Sequence, residues 1–369
     1  VSILERMRHM TWAWYTTTMS AGGIALLLRQ TPHQFRGLET IGKIVFIFDL
    51  VLFCGISGGM CLRFWLVPKA LKQSFQHPTE SLFFGCFWLS IATIISDIQL
   101  YGVPACGPWL IVAQRVLFWI YVACTALVGI FQYWYLFTAT HITLQSFAPS
   151  WILPIFPVML SGTIASVISS SQPREHAIPI IVAGTTFQGL GFLVSMLMYA
   201  NYFGRLLTAG LPEPATRPGM FISVGPPSFT AIALIGMANG ALQRFPEHYI
   251  GEVKAVPTAE VLVVVAVFAS IFLWALSFWF FCTSLVSVLV CVPRLSFHLT
   301  WWSMVFPNTG FILATINIGR QLHSEGVLWV TSVFTVIQVA VWLFVGVCHI
   351  RAVWLGLVLW PGKDEDKEE

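Results

Sequence analysis

Hydroxyl and amide groups recur in pairs inside apolar stretches of this chain: Thr17 and Ser20, Ser90 and Thr93, Ser161 and Thr163, Ser228 and Thr230, Asn308 and Thr309. Each pair sits on a separate stretch. Their chemistry is donation to an anion without a fixed countercharge that would trap it. Nothing nearby suggests bond-breaking chemistry. No nucleophile–base pair, no HExxH and no phosphate-cradling Walker sequence occurs, so no enzyme, haem, metal or ATP site is expected and no cofactor is implied. The eight cysteines are scattered without CxxC spacing and read as small core hydrophobes.

The elements that carry these donors follow from composition. Of 369 residues, 57% are hydrophobic and 9% charged, where a soluble chain carries about a quarter charged. Lipid must therefore solvate most of the chain. Continuous apolar runs of about 20 residues fit helices that cross the bilayer, not the alternating strands of a barrel. Ten spans are expected, at 10–28, 41–66, 81–101, 108–137, 149–170, 177–203, 219–243, 258–292, 300–319 and 327–354, forming one all-α membrane domain over 1–369. A net charge of +3 is too small to imply a nucleic-acid partner.

The donors fall on the odd spans. These read Met19-Ser20-Ala21-Gly22-Gly23, Leu89-Ser90-Ile91-Ala92-Thr93, Phe156-Pro157 to Ser161-Gly162-Thr163, Gly225-Pro226-Pro227-Ser228, and Phe306-Pro307-Asn308-Thr309-Gly310. Even spans eight and ten are dominated by Val, Leu, Phe and Trp, which suits a wall against lipid. Proline inside a helix removes a backbone hydrogen bond and bends the axis, so Pro157, Pro226 and Pro307 are expected to kink their spans and free the carbonyls of Leu153, Ile222 and Ser303. Small and hydroxylated residues also let membrane helices pack closely, and that accounts for any one of them taken alone. Their five-fold recurrence favours a lined path.

Lys and Arg counts set the orientation. With the N-terminus inside, the inner segments hold eleven (Arg6, Arg8, Arg63, Lys69, Lys72, Arg205, Arg217, Arg294, Arg351, Lys363, Lys367). The outer segments hold seven (Arg29, Arg36, Lys43, Arg174, Arg244, Lys254, Arg320). Both termini are therefore expected on the cytoplasmic side. Asp49, Asp97, Arg115 and Glu260 fall within or at the edge of spans, where ionisable residues are costly. Asp97 and Arg115 lie at similar depth and could pair to pin a hairpin. Alternatively, Arg115 could meet an entering carboxylate through its two-pronged geometry. Arg320, at the outer end of span nine, is a second candidate for that contact, or else a snorkelling anchor. No carboxylate falls at mid-depth on an odd span, which weakens the case for a proton relay.

Trp301-Trp302-Ser303-Met304-Val305-Phe306-Pro307 resembles the ninth helix of the slow-anion-channel, tellurite-resistance and malic-acid-transporter family. His77-Pro78 before a Phe-rich third span, Gly225-Pro226-Pro227-Ser228, and the segment from Trp12 to Leu28 are similar to that family too. The resemblance implies five helical hairpins in pseudo-five-fold arrangement, with the odd helices lining a central pore. It also implies a phenylalanine plug, which falls on Phe306, and a trimer with one pore per subunit. Thr17 to Ala25 together with Phe306 to Phe311 look most like the fungal malate and dicarboxylate transporters of the plasma membrane, with the sulfite exporters and inorganic-anion channels of the family as the alternative.

Overall fold

The computed structural model describes residues 2–139, 146–246, 249 and 256–361. The charged tail from Lys363 to Glu369, and Lys254, lie outside them. Among the described residues there is no strand, and ten main helices follow one another. They are α1 (Tyr15–Gln30), α2 (Leu38–Leu66), α3 (Phe84–Asp97), α4 (Trp109–Ala139), α5 (Phe156–Ile168), α6 (Arg174–Ala209), α7 (Gly225–Arg244), α8 (Thr258–Leu289), α9 (Phe306–Gln321) and α10 (Glu325–Trp354). Seven helical stretches are long and apolar enough to cross a membrane, which makes this a multi-pass membrane protein.

The two classes of span fold differently. The even helices run 29 to 36 residues and are apolar all round, so they have no solvent face to offer. They expose large side chains outward, as at Phe48, Trp134, Leu197, Phe268 and Val336. The odd helices are shorter, 13 to 20 residues, and mostly buried; every α1 residue from Tyr15 to Leu28 is buried. Each odd helix packs on the next, α1 on α3, α3 on α5, α5 on α7 and α7 on α9, and α9 returns to α1. The even helices α2, α6, α8 and α10 pack on the odd helices that precede them.

The prolines do not kink continuous helices as expected. Every odd span is built from a 3-10 turn followed by an α-helix. The turns are Trp12–Trp14, Glu80–Phe83, Pro149–Ile152, Pro214–Val224 and Leu299–Met304. Pro157, Pro226 and Pro307 stand in the first turn of α5, α7 and α9, where a missing N–H costs little and the fixed φ suits helix entry. The bend is a change of helix type. It brings Tyr15, Phe84, Phe156, Gly225 and Phe306 to the head of their α-helices.

Candidate substrate path

A cavity of about 10 Å3, room for about one water, is lined from all five odd spans. Thr16, Cys86, Phe156, Ile222 and Ser303 stand for the five, with Phe306 and Pro307 on the same wall. These residues bracket the junctions between 3-10 turn and α-helix, so the change of helix type shapes the constriction.

Phe306 is 1% exposed and is held by aromatic neighbours. Its ring stacks on Phe229 of α7, with centroids 4.9 Å apart and planes at 22°, and tilts against Phe156 of α5 at 6.1 Å. Phe156 and Phe229 meet each other at 5.8 Å, edge to face. Glycines make room for the trio. A Cβ on Gly23 would stand 3.2 Å from Phe306, one on Gly225 2.6 Å from Phe156, and one on Gly310 2.6 Å from Phe229. Phe156 and Phe229 were not singled out from sequence. The signal for Phe156 was the repeated Phe-Pro dipeptide, Phe156-Pro157 and Phe306-Pro307; Phe229 carries no such mark.

The path donors are all buried, but most are already engaged. The hydroxyl of Thr17 donates to Trp14 O at 2.8 Å, Thr93 to Ser90 O at 2.8 Å, Thr230 to Pro226 O at 2.7 Å and Thr309 to Val305 O at 2.9 Å. Ser90 reaches Cys86 O at 2.9 Å and also touches the Thr18 hydroxyl. Ser20 approaches Trp302 O at 3.5 Å, and Ser228 donates to the Ser277 hydroxyl at 2.9 Å. The Asn308 amide donates to Met304 O at 2.9 Å, leaving its own oxygen unpartnered. Only Ser161 and Thr163 of this set have hydroxyls with no partner among the described residues. None of the ten donors is on the wall of the central cavity, where Thr16 and Ser303 stand instead, and Thr17 lines a lateral groove between α1, α2 and α10.

The charged candidates separate. Arg320, at the exposed end of α9, donates from Nη2 to Gln30 O at 2.6 Å and so ties the ends of α9 and α1 together. Arg115 lies half-buried on the lipid-facing α4. It does not pair with Asp97, whose two carboxylate oxygens have no partner. The neighbouring Gln114 turns inward in its place, and its Nε2 donates to Ile95 O at 2.7 Å. Asp97 and Asp49 are both fully buried with unpartnered oxygens. Gly22 leaves the space for this, since a Cβ there would lie 2.9 Å from Asp49 Oδ2 and 2.5 Å from the Thr93 hydroxyl. A buried charged pair missed from sequence is Arg63 with Glu80, joined bidentately near the N-terminal end of the odd spans. Among the described residues no cluster of His, Cys, Asp and Glu could hold a metal ion.

Comparison with known proteins adds three findings. A family model described as voltage-dependent anion channel (SLAC1) matches residues 9–350. A malic acid transport protein of Schizosaccharomyces pombe is 37% identical over 99% of this chain and 83% of its own length, and a putative malic acid transport protein of the same organism is 37% identical over 99% and 85%. A sulfite efflux pump of Arthroderma benhamiae is 26% identical over 90% of this chain and 88% of its own length.

Proposed function

The chain belongs to the voltage-dependent anion channel family, and from that premise we propose that it carries small organic anions, C4-dicarboxylates such as malate foremost, through a central path occluded by Phe306. The path runs inside a pseudo-five-fold set of five hairpins, with the odd helices inward. The observation that carries this reading is the constriction itself. One ring, held by two others, closes a cavity to which all five odd spans contribute. The succession of packing from α1 round to α9 and back supports the arrangement.

The substrate class rests on the similarity to malic acid transport proteins over 99% of the chain. Ser161 and Thr163 offer uncommitted hydroxyls for the path, and Ser20, Ser90, Thr93, Ser228, Thr230, Asn308 and Thr309 are the further donors of the buried odd helices; Thr17 belongs to the lateral groove. Arg320 draws anions at the outer mouth, with Arg115 the second candidate for a carboxylate contact. The protein works in the plasma membrane with both termini cytoplasmic, and a trimer with one path per subunit is its proposed assembly.

Uptake of labelled malate into proteoliposomes, with sulfite, nitrate and chloride as competitors, tests the substrate. Saturable malate uptake inhibited by succinate or fumarate is the expected result. Sulfite or inorganic-anion flux without malate flux moves the protein to the alternative favoured by its 26% identity to a sulfite efflux pump.

A further inference from the structure

A second cavity lies away from the central path. It is a lateral groove of about 770 Å3 between α2 and α10, floored by Trp14, Thr17 and Trp302. Its rim is apolar and faces outward, as at Leu343, Val347 and Trp354. From Trp342 to Trp354 it follows α10 for about 18 Å, at 1.5 Å per residue. One leaflet of the hydrocarbon core is about 15 Å deep.

Besides Thr17, whose hydroxyl is bonded to Trp14 O, two polar groups break this apolar lining. His349 is 7% exposed, and its Nδ1 accepts from the indole N–H of Trp302 at 3.3 Å. An indole nitrogen can only donate, so the ring proton of a neutral His349 sits on Nε2. That N–H is buried and has no partner among the described residues. The second group is Arg6. Its guanidinium donates to the carbonyls of Val353 and Leu359 and lies over the Trp360 ring, bringing positive charge to the end of the groove. Val353 is one helical turn beyond His349, so the two groups are separated by about 6 Å along α10.

We infer that this groove binds one phospholipid, with an acyl chain along α10, an ester carbonyl accepting from His349 Nε2–H and the phosphate against Arg6. The spacing of a phosphate and its nearest ester carbonyl matches one helical turn. The orphaned donor explains why a histidine stands in an otherwise apolar wall. Arg6 explains why the occupant carries a phosphate, in the manner of basic pockets at the ends of membrane helices. This site is separate from the anion path and does not depend on the transport reading.

The test uses the whole protein reconstituted with ester-linked or ether-linked phosphatidylcholine, followed by native mass spectrometry of the lipid it retains. Ether lipid lacks the carbonyl. Wild type should retain ester lipid about five-fold more firmly, the worth of one hydrogen bond. His349→Phe should abolish that preference, and Arg6→Gln should lower retention of both lipids. Gly346→Leu fills the groove without disturbing the backbone, because a Cβ there meets only Trp302 at 3.9 Å. It should lose the lipid while keeping the wild-type assembly mass. Equal retention of ester and ether lipid by wild type would overturn the inference. So would a change of assembly mass in Gly346→Leu, which would mean that a second copy covers the groove.

Discussion

Replacing Phe306 by alanine isolates the role of the constriction. On the proposed path, the ring must leave its position between Phe229 and Phe156 for an anion to pass. Aromatic pairs of this kind are worth about 0.5–1.5 kcal/mol each, so swinging the ring aside forfeits roughly 1–3 kcal/mol. At 1.36 kcal/mol per factor of ten, that is a rate effect of about 5- to 150-fold. Phe306→Ala should therefore raise malate flux into proteoliposomes within that range, with little change in the concentration for half-maximal uptake. Phe306→Leu, which keeps most of the bulk, should raise it less. Phe268→Ala serves as the control, since Phe268 is 66% exposed on α8 and remote from the path. Truncating a buried phenylalanine costs about 3–5 kcal/mol of stability, so each variant must elute as a single species before its flux is read. Unchanged flux in well-folded Phe306→Ala would refute the occlusion argument, whatever the substrate.

Gly23→Ala should press a methyl against Phe306, 3.2 Å away, and lower flux in wild type but not in Phe306→Ala; equal effects in both backgrounds would place Gly23 outside the gate. Glu80→Gln should destabilise the protein by about 3–5 kcal/mol in thermal unfolding, because it leaves Arg63 buried without its carboxylate, while Arg63→Met combined with Glu80→Leu should recover most of the loss. Asp97→Asn should leave thermal stability unchanged or raised, because the carboxylate it replaces is buried with no partner to lose. A marked loss of stability in Asp97→Asn would show that the acid is held by something an amide cannot replace.

The long helices were legible because a run of apolar residues long enough to cross lipid leaves few alternatives; seven helical stretches meet that length, and α8 and α10 end within three residues of the expected limits. The division into buried and lipid-facing helices was also legible, from the small residues of the odd spans. The junctions were not. A proline in the first turn of α9 reads in sequence like a proline in mid-helix, and only the preceding 3-10 turn at Leu299–Met304 separates the two cases. The expected Asp97–Arg115 pair failed for a related reason. Depth follows from counting along a helix, but facing does not. Neighbouring helical residues point about 100° apart, and on α4 that angle turns Gln114 inward and leaves Arg115 at the side. Asp49 was noticed singly, yet its approach to Thr93 across Gly22 depends on how α1, α2 and α3 pack, which no local pattern encodes.

The donors themselves pose the last question, because sequence gives the hydroxyl and not where its hydrogen goes. Thr93, Thr230 and Thr309 already donate to a carbonyl three or four residues earlier on their own helices. An anion that captures such a hydrogen must break a bond worth about 1 kcal/mol net, so each contact is weak. Weakness suits passage, since an ion must leave a site as readily as it enters. On the proposed path, selectivity then falls to the Phe306 ring and to hydroxyls whose hydrogens are uncommitted. Ser161 and Thr163 are the two in this set. Thr309→Val should therefore change the half-saturating malate concentration by less than about three-fold, while Ser161→Ala or Thr163→Val should raise it by about five-fold or more, the worth of one donated bond. The reverse order would mean that the anion rotates the bonded hydroxyls toward itself, and that the resting hydrogen bonds of the odd helices do not predict its contacts.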